Sequence, residues 1–119
     1  MQNRDDRIAQ LLFSSVFPLY LNKIERKGRT LAELHQIIEW LTGFDAHRIQ
    51  IKIAQKENFS DFFKDASLPA ESNLINGVIC GERIEEIQNP LTQKVRRLDK
   101  LVDELAKGKS IEKIIRKSP

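Results

Sequence analysis

The stretch NPLTQKVRRLDKLVDELAKG, from Asn89 to Gly108, constrains this chain more than any other. Its apolar residues Leu91, Val95, Leu98, Val102 and Leu105 recur in alternating steps of four and three, which places them on one face of a helix. Asn89 is a good N-cap, and Pro90 suits the first helical position, where an N–H would have no partner. Lys107 and Gly108 mark the end, because glycine accepts the left-handed conformation that closes a helix. The outer face carries opposite charges at helical spacing: Arg96 with Asp99, Lys100 with Glu104, Asp103 with Lys107. A stripe of this kind needs a partner surface, so the remaining chain must fold into a core around it.

The other segments read mostly as helices. Phe13, Phe17, Tyr20, Leu21 and Ile24 share a helical face, with Ser14 or Ser15 as the expected cap so that Pro18 falls in the tolerant first turn. That helix ends at Arg26, Lys27 and Gly28. Thr30 and Glu33 have the spacing of a capping box, followed by the stripe Leu31, Leu34, Ile37, Ile38, Leu41 with Trp40 beside it, and Gly43 as a stop. Ile49, Ile51 and Ile53 alternate as in a strand, but with Ala46 they also suit a helix launched from Asp45, and the helix is preferred. A short turn carries Phe59, Phe62, Phe63 and Ala66, and a loop with Pro69 runs from Ser67 to Ser72. In Leu74–Cys80, Asn76-Gly77 is a hairpin signal, yet its flanks are too short for an isolated hairpin, so a helix is expected here too. Ser110 caps a last short helix with Ile111, Ile114 and Ile115.

The expectation is an all-α, compact, single-domain orthogonal bundle of about five to seven helices over residues 1–119, with an α+β fold containing a small hairpin as the alternative. Residues 1–7 carry no pattern and are expected to fray. A chain of 119 residues can bury an adequate core without metals or disulfides. No apolar run approaches a membrane span, no leader-like core opens the sequence, and the single cysteine fits a reducing compartment, so the expected location is the cytoplasm.

Several strings together resemble a known family: SSVFPLYLNKIERKGRT, AELHQIIEWLTGF, LINGVICGERIEEI, and PLTQKVRRLDKLVDELAKGK followed by EKIIRK. They resemble a family of short uncharacterised bacterial proteins, a domain of unknown function, across Arg7 to Lys117. The likeness is weakest between Ala46 and Ser72. It implies a compact, largely helical fold and brings no activity, substrate or cofactor.

The residues themselves offer little catalytic chemistry. His35, His47 and Cys80 have no ligand spacing, so neither metal nor other cofactor is expected. His35 reads as a partly buried core histidine and Cys80, flanked by Ile79 and Gly81, as a buried inert thiol. No phosphate loop follows a strand, and no serine sits in a nucleophile elbow. Glu82, Arg83, Glu85 and Glu86 form a charged group, of which Arg83, Glu85 and Glu86 mark a ligand or partner surface, or simply a solvated face, and any pocket is expected between it and the Lys23–Arg29 turn. The net charge of +3 is too small to announce a nucleic-acid binder. Even so, residues 30–41 and 45–56 have the outline of a helix-turn-helix. Lys23, Lys27, Arg29, Arg48 and Lys52 are its candidate phosphate contacts. The sequence therefore points first to a binding or protein-interaction module, its partner another protein or a second copy and not a membrane. Nucleic-acid binding is the alternative, and a small-molecule enzyme with its site near 82–86 comes second. No catalytic residue is nominated.

Overall fold

The computed structural model describes residues 3–117. Asn3 opens the first helix, α1 (Arg4–Gln10), by accepting the Asp6 N–H at 2.9 Å. Of the seven residues expected to fray, Met1 and Gln2 lie outside the described residues, and Asn3–Arg7 are ordered into this helix. What anchors them is distant in sequence: Ile8 is buried, and Asp5 accepts the Thr92 hydroxyl at 2.7 Å.

Helix α2 (Phe13–Glu25) begins earlier than a cap at Ser14 or Ser15 would allow. Leu12 occupies the cap position, and the Phe13 N–H donates instead to the Glu57 carbonyl at 2.9 Å. Ser14 and Ser15 thus lie inside the helix. Pro18 falls in its second turn, where its ring removes a helix hydrogen bond rather than an idle donor. Helix α3 (Leu31–Thr42) has the full Thr30/Glu33 capping box and stops at Gly43, whose φ is +83°. Asp45 then caps α4 (Ala46–Ala54). The alternating isoleucines are helical: Ile49 is buried, Ile53 half-buried and Ile51 exposed. Helix α5 (Phe59–Lys64) is capped by Asn58 and delivers Phe59, Phe62 and Phe63 to the core. There the Phe62 ring stacks on Phe13 at 4.0 Å between centroids and meets Phe44 and Phe63 edge-on.

The organising helix is α6 (Pro90–Ala106), capped by Asn89 at Thr92. It touches α1, α2, α3, α5 and α7 (Ile111–Ile114), and Val95, Leu98, Val102 and Leu105 of its stripe are buried, as is Leu101. Two of the three expected surface pairs form, Arg96–Asp99 and Asp103–Lys107. Lys100 and Glu104 do not pair with each other. Lys100 donates to the Val78 carbonyl at 3.2 Å, and Glu104 takes a two-pronged bond from Arg116 at 2.6 and 2.8 Å, which draws the end of the chain onto α6.

The segment expected to be helical at 74–80 is not an α-helix and contains a short strand. After a 3-10 turn at Ala70–Leu74, β1 (Val78–Ile79) pairs antiparallel with β2 (Glu82–Arg83), with Val78 opposite Arg83 and Ile79 opposite Glu82. The small-hairpin alternative is therefore the arrangement present, but its turn is Cys80-Gly81. Both turn residues have positive φ, +52° and +76°, as a primed two-residue turn requires. Strands this short are marginal alone. Here α6 supplies the missing bonds through Lys100 and through Gln93, whose amide donates to the Ile84 carbonyl at 3.0 Å.

Candidate binding face around the hairpin

The hairpin divides one side of the molecule into two concavities. The larger is an open, polar cleft of about 410 Å³ between the hairpin's far strand, the chain entering α6, and the start of α1. Arg4 of α1 bridges Asp5 and Glu82 across it, and Glu82 lies 3.9 Å from Arg96. Arg83 and Glu86 reach this cleft, as nominated. Glu85 turns away: its carboxylate accepts the Gly77 N–H at 3.0 Å and pairs with Arg83 at 3.6 Å. The Gly77 bond is the main reason its carboxyl is held below the usual glutamate value. The expected partner of this group, the Lys23–Arg29 turn, is not beside the cleft. Arg4 takes that place, out of the very stretch expected to fray.

The smaller concavity, about 210 Å³, lies on the other side of the hairpin. Leu19, Ile79 and Val102 form its apolar walls, with Lys23 and Cys80 also on the lining. Tyr20 and Asp99 complete it. The buried Tyr20 hydroxyl donates to Asp99 at 2.5 Å, and Arg96 holds the other oxygen of Asp99 at 3.0 Å. Burial first, and the Asp99 charge second, push the Tyr20 phenol well above its usual range, so it stays a proton donor. Cys80 is exposed and not buried, because the hairpin tip turns it outward at a left-handed position. No sequence spacing links Tyr20 to Asp99; only the packing of α2 on α6 does.

The five basic candidates are scattered in role. Arg29 holds Glu33 at 2.6 Å and donates to the carbonyls of Leu105 and Lys109, at 3.3 and 2.7 Å, so it closes the C-terminal end of α6. Lys52 is only 6% exposed, within 3.3 Å of Glu57 and 4.5 Å above the Phe44 ring. Lys23 pairs with Asp103. Arg48 lies 4.7 Å over Phe44 with an exposed outer surface, and Lys27 is exposed. His35 is half-buried against Phe17, ring centroids 6.0 Å apart, with its Nε2 unbonded. Among the described residues no three His, Cys, Asp or Glu side chains are grouped to hold a metal ion, and no helix is long and apolar enough to cross a membrane.

Residues 7–116 match the model of a family described as an uncharacterized protein conserved in bacteria (DUF2200). No curated protein matches the chain. Among solved structures, that of the uncharacterized protein SP1917 is similar, with 40% sequence identity and a TM-score of 0.85. The alignment covers 91% of this chain and 89% of that one.

Proposed function

The chain belongs to this bacterial family, DUF2200, and we propose that it works as a single-domain protein-interaction module whose recognition element is the hairpin segment 76–88. The observation that carries the reading is apolar surface placed where the core has no use for it. Val78 is 51% exposed at the hairpin, Leu74 is 47% exposed just before it, and Leu19 across the small pocket is 65% exposed. Arg83 and Glu86 supply a polar rim, the composition of a protein interface with an apolar centre. The bonds from Gln93 and Lys100 fix the hairpin in advance, which lowers the ordering cost of binding. The setting we propose is the cytoplasm, in keeping with one free thiol at the surface.

The nucleic-acid reading is the weaker one. Arg29 and Lys52 are already committed to internal carboxylates and carbonyls, which leaves Lys23, Lys27 and Arg48 as its exposed cations. A low-salt purification from native lysate separates the two. The proposal expects a clean protein spectrum and a stoichiometric partner that Val78→Asp removes. An absorbance excess at 260 nm that nuclease abolishes would overturn it in favour of nucleic acid, with Lys27 and Arg48 the first residues to map. Retention of the partner by Val78→Asp would move the interface off the hairpin.

A further inference from the structure

The small pocket beside Tyr20 has an imbalance that defines a ligand. Each carboxylate oxygen around it is already engaged. Asp99 receives Tyr20 on one oxygen and Arg96 on the other. Asp103, one turn along α6, receives Lys23 at 3.2 Å on one oxygen and Lys107 at 2.9 Å on the other. The cations are not so fully used. The Lys23 ammonium has three donors, makes its ion pair with Asp103, and keeps a side chain 48% exposed at the pocket mouth. Were Lys23 to turn toward a ligand, Asp103 would keep Lys107. Arg96 is shared between Asp99 and Glu82, whereas Asp103 holds two lysines, so Lys23 is the cation that a ligand can take without leaving a carboxylate bare. The walls offer only hydrocarbon, from Leu19, Ile79 and Val102.

We propose that this pocket binds a small monocarboxylate with a compact hydrocarbon body, the carboxylate on Lys23 and the body between Leu19, Ile79 and Val102. The volume, about 210 Å³, lies below the roughly 300–1,000 Å³ of sites for drug-sized ligands, so the body is no larger than one ring or a short branched chain. A protonated amine is repelled by the Lys23 ammonium at the mouth, and a neutral amide accepts from Lys23 without the charge that strengthens the bond. The site shares Leu19, Ile79 and Cys80 with the surface proposed for a protein partner, but its ligand is held by Lys23, so acid binding and the loss of a partner in Val78→Asp are separate outcomes.

The test is a titration of the full chain with phenylacetate, isovalerate and benzoate, followed by backbone amide NMR shifts. Phenylacetamide and phenethylamine serve as matched controls. The proposal expects saturable shifts at Tyr20, Lys23, Ile79, Cys80 and Asp99. It expects the amide and the amine to bind phenylacetate's site roughly tenfold or more weakly, the scale of one charge-assisted hydrogen bond. Lys23→Met, at an exposed site, should cost the acid that same factor and leave the amide unchanged. Leu19→Ala should weaken acid and amide alike. The absence of saturable shifts with all three acids, an amine binding as tightly as the acid, or a Lys23→Met variant that binds phenylacetate normally would each overturn the proposal.

Discussion

Helix α6 and the hairpin that lies against it are neighbours held by different forces. The helix is fixed by apolar burial: Leu98, Leu101 and Leu105 are fully buried, and α6 packs on elements from both halves of the chain. The hairpin contributes little to that core beyond Ile84 and the half-buried Ile79. Its place is set by single polar contacts: Gln93 donates to the Ile84 carbonyl, Lys100 donates to the Val78 carbonyl, and Arg4 and Arg96 reach Glu82. Burial is non-directional and large, whereas one hydrogen bond is directional and nets about 1 kcal/mol. The chain thus builds a stable block and lays on it a lightly held, outward-facing element, which suits recognition better than support.

The contrast can be broken at several strengths. Leu98→Ala should cost roughly 2–5 kcal/mol in urea denaturation, the range for a truncated core leucine; an unchanged midpoint would mean the stripe faces no core. Next is Glu104, whose side chain is 7% exposed and joins α6 to Arg116 and Lys109. Burial alone would raise its carboxyl, but the bonds to Arg116 and Lys109 outweigh this and hold it below the usual value. A depressed folded value means that the stability from Glu104 is complete above the ordinary glutamate range and is lost as pH falls through the folded value. Glu104→Gln should therefore cost about 1–3 kcal/mol at neutral pH and flatten the acid side of the Tm profile. Glu33, Glu85 and Asp103, also held low, keep the remainder of that slope. An acid limb of unchanged steepness would show that the Glu104–Arg116 contact is idle.

Arg29→Ala should follow at about 1–2 kcal/mol, because it uncaps α6 and frees Glu33. A loss confined to nucleic-acid affinity, with stability intact, would contradict that structural role. Smallest is Val78→Asp, expected within about 0.5 kcal/mol of the parent because the side chain is mostly in solvent. If it unfolded the protein, the hairpin would belong to the core after all.

The same division decides what could be read from the sequence. The Thr30/Glu33 box, the Asp45 and Asn89 caps and the α6 stripe rest on residues within a few positions of each other, and all are present. Arg83 and Glu86 were legible as a charged group, and the structure gathers them at a cleft. What escaped depends on distant partners. Helix α1 is held through Asp5 and Thr92, the start of α2 through the Glu57 carbonyl, and the hairpin through α6 side chains. Arg29 reads as surface charge until the end of α6 is seen to lie under it. Cys80 looked buried by its apolar neighbours, but the turn it occupies faces outward. The Tyr20–Asp99 contact, the floor of the small pocket, spans two helices far apart in sequence and left no local signal.

The most direct test of a block carrying a separately held hairpin is native-state amide exchange across the whole chain, in the parent and in Gln93→Ala. The α6 amides at Leu98 and Leu101 should exchange only through global unfolding, while Ile84, whose N–H donates to the Gly77 carbonyl at 2.9 Å, should exchange through a cheaper local opening. Gln93→Ala should lower the opening energy at Ile84 and leave Leu98 and Leu101 where they were. If Ile84 and Leu101 exchanged with one common free energy, and Gln93→Ala shifted both together, the hairpin would be part of the core and the distinction drawn between the two regions would fail.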